Sequence, residues 1–289
     1  MPRTAVVTDS TARPVPHGVS VVDLDVVVDS RPVPEPGTTT AAVLAAVLAG
    51  SAVGTSRPSP DGFARAYAAA EAAGASAVVS VHLSGALSGT VEAARLAAAG
   101  APLRVEVVDT ASVGAVLTTA VRCAAAAAQD GADAGRLVTL VQQVASRSRT
   151  WFSPASAEQL QRGGRGAGSV RGEGRPGLQA RPVLLVDEGR LVPVDRTRTT
   201  ARALDRLAEL AQGRLGEVWS DPSAELLELV VQHAGAEPAA ADLVARLTGA
   251  LDPELVRVQE LSPVLAAHVG PGTVGLAVVA GPRQARPRR

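Results

Sequence analysis

Short valine-rich apolar runs alternate, in the first half of the chain, with longer stretches whose apolar positions recur at helical spacing. Thr4-Ala5-Val6-Val7-Thr8, Val78-Val79-Ser80-Val81 and Val105-Glu106-Val107-Val108 read as strands, the second with the β-branched density of a buried parallel strand. Val19 to Val28 carries two further short strands, and Pro32, Pro34 and Pro36 mark a loop. Helices are predicted from Thr39 to Ala49, from Ala64 to about Ala73, and over Val91 to Ala97. An alanine-rich helix runs to about Gln129, and another spans Asp133 to Arg147. Ser59-Pro60-Asp61 supplies an N-cap, an N1 proline and a first-turn acid for the second helix. Strands alternating with helices in this way predict a mostly parallel, helix-covered sheet.

Trp151-Phe152-Ser153-Pro154 opens the second half, where Arg181–Val186 and Leu191–Val194 read as strands joined by a turn at Asp187-Glu188-Gly189. A helix is predicted from about Ala201 to Gln212, a strand from Leu227 to Gln232 delivering His233, a helix from Pro238 to Ala250, and strands at Leu255–Gln259 and up to Ala280. The segment from Gln161 to Gly177 is so rich in glycine and arginine that it reads as a mobile loop.

Composition narrows the chemistry. The 289 residues are 46% hydrophobic but only 2% aromatic, so the core is built from Ala, Val and Leu. Its 28 basic residues are all arginine and are balanced by 28 acidic ones, which argues against a large nucleic-acid footprint. With no lysine, a P-loop and Schiff-base chemistry are excluded. One cysteine, Cys123 in a helical alanine run, gives neither a disulfide framework nor a zinc cluster. No apolar run reaches bilayer length and no signal-like segment opens the sequence, which predicts a soluble, cytoplasmic protein without membrane insertion.

The stretch Ser84-Gly85-Ala86-Leu87-Ser88-Gly89-Thr90 stands between a strand and a helix. Free backbone N–H groups and the helix dipole make such a turn an anion site, with Ser84, Ser88 and Thr90 as hydroxyl donors and Gly85 and Gly89 permitting close approach. The plainer reading is a connection with Ser88 or Thr90 as N-cap. Thr55 and Ser56 lie on a second hydroxyl turn, stiffened by Pro58 and Pro60, and the two turns are candidates to converge on one ligand. Asp9-Ser10-Thr11 ends the first strand, as a ligand position or as an Asx turn. His268, read as lying on a strand that runs into Gly270-Pro271-Gly272, is a ligand candidate or a core histidine. Two rival readings use the same loops. One is a hydrolase with a serine of Ser84–Thr90 as nucleophile and His268 or His233 as base, although no Gly-x-Ser-x-Gly elbow is present. The other is a protein that binds a small phosphate ligand.

Taken in order, Val7-Thr8-Asp9-Ser10-Thr11-Ala12, Thr55-Ser56-Arg57-Pro58-Ser59-Pro60, Leu87-Ser88-Gly89-Thr90, Val108-Asp109-Thr110-Ala111-Ser112, Gly163-Gly164-Arg165, the run from Val183 through Arg196–Arg198, and His268-Val269-Gly270-Pro271-Gly272 resemble the DegV family of bacterial fatty-acid-binding proteins. The resemblance covers nearly the whole chain. It implies two α/β domains, 1–150 and 151–289, with a ligand tunnel between them. It also implies that a long-chain fatty acid lies there with its carboxylate near Thr55, Ser56, Ser84, Gly85, Ser88, Gly89 and Thr90, and with His268 and Gly270 close by. The family presents that carboxylate to the ATP-binding subunit of a fatty acid kinase and carries no catalytic ATP site or cofactor of its own. Arg165 and Arg198 match the family's arginines and are expected near the tunnel mouth, against the kinase or the phosphoryl group.

Two positions depart from the pattern. The family has two adjacent serines where this chain has Ser84 and Gly85, so Thr55 and His268 are expected to carry more of the headgroup, and Gly85→Ser to tighten binding. The segment after Arg165 is helical and apolar in the family but rich in glycine and arginine here.

Overall fold

The computed structural model describes residues 3–33, 37–155, 160, 181–248 and 253–283. Four strands, β1 (Arg3–Asp9), β2 (Ser20–Val22), β6 (Ala75–His82) and β7 (Arg104–Asp109), form an all-parallel sheet in the order β2-β1-β6-β7. Three short strands, β3 (Val26–Val28), β4 (Arg31–Val33) and β5 (Val53–Thr55), make a small antiparallel sheet ordered β4-β3-β5. Pro32 therefore sits in a strand rather than a loop. It is tolerated because β4 is an edge strand, where no ladder donor is needed on the open side.

The second half builds a six-stranded sheet from β8 (Arg149–Ser153), β9 (Arg181–Asp187), β10 (Arg190–Thr197), β11 (Ala224–Ala234), β12 (Val256–Glu260) and β13 (Thr273–Pro282). Its order is β10-β9-β8-β13-β11-β12, and only the β11–β12 pair is parallel.

The helices fall into layers that the period-2 pattern of the strands dictates. Val78 of β6 faces α2 (Pro60–Ala72) and α3 (Thr90–Ala98), where Phe63, Tyr67 and Ala94 are fully buried. Val79 and Val81 face the opposite way, onto α4 (Ala115–Gln129) and α5 (Ala134–Arg147). The same cluster takes in Val230, Ala277 and Val279 of the large sheet, so α4 and α5 are a shared layer between the two sheets. The outer face of the large sheet, through Leu229, Val231, Leu276 and Val278, packs on α6 (Thr200–Ser220) and α7 (Glu237–Leu247). The small sheet is closed by α1 (Thr40–Leu48) and α8 (Pro263–Val269) around Leu24, Val26, Leu44 and Val264.

Three further elements differ from the sequence reading. Helix α6 runs past Gln212 to Ser220, because Gly213 and Gly216 lie in open space while Leu215 and Val218 continue the buried stripe. Trp151 and Phe152 belong to a strand, β8, hidden by its shortness. His268 is on helix α8, not a strand. Ser262 caps it and Pro263 takes N1, so local capping outweighs an apolar run too short to declare its period. The loop expected over 161–177, with Arg165, lies outside the described residues.

Candidate functional site

The α4–α5 layer does not fill the whole space between the sheets. Beyond the start of α4 lies an apolar cavity that opens to solvent, with about 810 Å³ of empty space when the solvent at its mouth is counted. Its floor is the inner face of the large sheet, where Gln232, Gly275 and Phe152 lie side by side in register. Gly275 matters here for its missing side chain. A Cβ there would stand 3.4 Å from that of Phe152 and 3.7 Å from that of Gln232, so glycine keeps the floor low between them. Leu83, Leu87, Val113 and Leu24 form walls from the first half of the chain, and Leu160, Leu191, Leu261, Val264, Leu265 and Val269 from the second. Among the described residues that line it there is no aspartate, glutamate or arginine, and Thr55, Ser88, Thr150, Gln232, His268 and Thr273 are polar.

The structure brings three of the candidate residues to this cavity. Thr55, at the end of β5, places Oγ1 2.9 Å from Nε2 of His268 on α8, and both line it. Ser88 lines it too, with its Oγ 2.8 Å from Oγ1 of Thr90. Residues of the two hydroxyl turns thus reach one cavity, and Thr55 is bonded there to a histidine more than 200 residues away in sequence.

The remaining candidates are placed otherwise. Ser84 is buried and donates from Oγ to the carbonyl of Gly189 at 2.7 Å while accepting from Ala86 N, so it pins the β9–β10 turn to the loop. Gly189 has φ +77°, and a Cβ there would collide with the Ser84 hydroxyl. Gly85 is not an open anion donor. Its N–H already goes to Asp109 Oδ2 at 3.1 Å, and a Cβ would stand 2.8 Å from that same oxygen. A serine at this position must first displace the Asp109 carboxylate, which opposes the gain expected from Gly85→Ser. Gly89, rather than Ser88 or Thr90, is the N-cap of α3, without a side-chain cap bond, and the Arg57 side chain lies against its Cα. Thr90 is fully buried, and Ser56 donates its N–H to Asp25 O at 2.9 Å. Gly270, at φ 74°, ends α8 with its N–H on Ala266 O. Arg198 is exposed between β10 and α6, outside the cavity lining.

A serine–histidine–aspartate chain does occur, but at residues the hydrolase reading did not select. Tyr67 donates to Ser80 Oγ at 2.9 Å, Ser80 lies 2.7 Å from His82 Nε2, and His82 Nδ1 lies 3.0 Å from Asp9 Oδ2. All four residues have zero exposure, and Asp9 also accepts from Thr11 and Leu83. Asp9 is thus an Asx-turn acid and a buried partner, not a ligand position. Ser84 and Ser88 pair with Gly189 and Thr90, and neither meets His268 or His233 among the described residues. Sequence reasoning passed over Gln232 and Thr150. Each is a polar residue two positions from an apolar one on the same strand face, Val230 for Gln232 and Phe152 for Thr150.

Comparison with known proteins agrees with this architecture. The family model described as "Uncharacterised protein, DegV family" matches residues 3–281. The chain belongs to the DegV family. A DegV domain-containing protein of Streptomyces coelicolor, SCO2569, is 35% identical over 284 residues, covering 95% of this chain and 97% of the relative. Among solved DegV structures, a fatty-acid-binding protein from Thermus thermophilus superposes with a TM-score of 0.84 at 32% identity, covering 97% of this chain and all of the other. Protein TM841 of Thermotoga maritima, described as revealing a fatty acid binding function, gives 0.80 at 25% identity over 98% of this chain and all of that one.

Proposed function

We propose that this DegV protein is a fatty-acid carrier. The observation that carries the reading is the apolar cavity with Thr55, His268 and Ser88 gathered on its lining. A carboxylate withdrawn from water needs several donors, and two hydroxyls beside an imidazole supply them without bulk or a competing negative charge. Leucine, valine and phenylalanine walls suit the alkyl tail, whose burial is worth about 0.8 kcal/mol per methylene. The fatty-acid-binding relatives of similar fold and length support the same assignment. The test is mass spectrometry of an organic extract of the purified protein. A long-chain fatty acid near equal stoichiometry is expected. Folded protein that holds no lipid and takes up none when supplied would overturn the proposal.

In this reading the bound carboxylate is handed to the ATP-using subunit of a fatty acid kinase, in the cytoplasm, and acyl phosphate is made there. No helix of the described residues is long and apolar enough to cross a membrane. Arg198 is exposed and has no hydrogen-bond or ion-pair partner among the described residues, which leaves its guanidinium available for a phosphoryl group or the kinase. Kinase-coupled phosphorylation that is unchanged in Arg198→Ala would remove that role. We retain the division into domains at residue 150 as part of the proposal, with the cavity lined from both sides of it.

A further inference from the structure

The floor of the cavity carries a second polar pair that the headgroup does not use. Gln232 is 3% exposed and lines the cavity from β11. Its Oε1 accepts from Ala115 N, in the first turn of α4, at 3.1 Å. That bond fixes the orientation of the amide, because only the oxygen can accept a proton. Nε2 is left buried with no hydrogen-bond partner among the described residues. Thr150 also lines the cavity, and its Oγ1 is likewise buried and without a partner. The register sets Gln232 beside Gly275 and Thr150 beside Ala277, so both project from one sheet face, on either side of β13.

Helix capping does not account for this pair. A glutamate would cap α4 as well and would gain from the helix dipole, whereas glutamine adds a donor that the helix cannot use. Valine would fill the space of Thr150 without a hydroxyl to satisfy. Native interiors give nearly every buried polar atom a partner, because one left alone is costly. A partner for the amide must accept from its N–H and one for Thr150 must pair with a hydroxyl, and no aspartate, glutamate or arginine is among the described lining residues.

We propose that Gln232 Nε2 and Thr150 Oγ1 receive a neutral oxygen carried along the acyl chain, so that the preferred ligand is a hydroxy- or oxo-fatty acid rather than a plain one. A chain hydroxyl accepts from Nε2 and exchanges a hydrogen bond with Thr150, and a ketone accepts from both. The inference rests on the fatty-acid reading above and adds the class of chain. Delipidated full-length protein is incubated with equimolar stearate and one member of a positional series of monohydroxystearates, and the bound ratio is read by mass spectrometry. One hydroxyl position is expected to be retained about tenfold over stearate, with the ratio falling close to one in Gln232→Met and in Thr150→Val. Should Gln232→Met not fold, Thr150→Val decides alone. Wild-type protein that takes stearate but favours no hydroxystearate overturns the inference and leaves the carrier reading intact, a buried water then serving the amide. A preference that persists in the variants also overturns it. Uptake of neither acid sinks the carrier reading itself, and this inference with it.

Discussion

Two groups of hydroxyl and imidazole side chains in this molecule are built from the same residue types and do different things. Between the parallel sheet and α2, Tyr67, Ser80, His82 and Asp9 form a chain in which every member has a protein partner and none is exposed. Phe63 seals it, packing edge-on to His82 with ring centroids 5.0 Å apart. At the cavity, Thr55 and His268 also pair, but beside open space lined with leucine and valine, and Gln232 and Thr150 have polar atoms left over. A complete network in a sealed place stabilises and orients, whereas an incomplete one beside a void is arranged for something that arrives later. The Ser–His–Asp order alone would have selected the wrong group.

The largest expected effect comes from filling the void. Gly275→Leu puts a branched side chain between Gln232 and Phe152 and is expected to weaken fatty-acid binding on the order of a hundredfold, leaving lipid-free protein. Wild-type lipid content in this variant would mean that the floor is elsewhere. Next in size, His82→Leu leaves the Asp9 carboxylate buried without its imidazole. Urea unfolding should then show a loss of about 3 kcal/mol, with fatty-acid affinity unchanged where the variant is folded. A selective loss of affinity at wild-type stability would reverse the roles of the two groups.

Thr55→Val removes one hydroxyl and nearly keeps its shape. Affinity should fall about tenfold, the cost of one hydrogen bond to a charged group, while the unfolding midpoint barely moves. Equal affinity would separate the headgroup from the Thr55–His268 pair. The smallest expected signal is spectroscopic. Tyr67 is the sole tyrosine, and burial pushes its phenol up to about 12, more than the Ser80 hydrogen bond lowers it. Its folded value exceeds the unfolded one, so the stability it contributes is complete below about 10 and is lost as pH rises through about 12. Phenolate absorbance in the folded protein should therefore be absent near pH 10. A titration there would show that the sealed group is open to water.

The sequence by itself determined the alternation of strands and helices, because valine runs at period 2 and alanine-rich stretches at period 3.6 need only local contacts to declare themselves. It also marked the turns at Thr55–Ser56 and Ser84–Thr90, where proline, glycine and hydroxyl residues restrict the backbone. It did not reveal which hydroxyls face a ligand. Ser84 and Ser88 are four residues apart in one loop, yet Ser84 holds Gly189 across the molecule and Ser88 reaches the cavity. That choice depends on the β9–β10 turn, more than 100 residues away. Nor could local pattern find the floor. Gln232, Gly275 and Phe152 become neighbours only when β11, β13 and β8 pair in register, and Thr55 meets His268 only when α8 closes the small sheet. Periodicity records what each segment must bury. Only the packed structure decides which two buried faces stop short of touching, and the cavity is that gap.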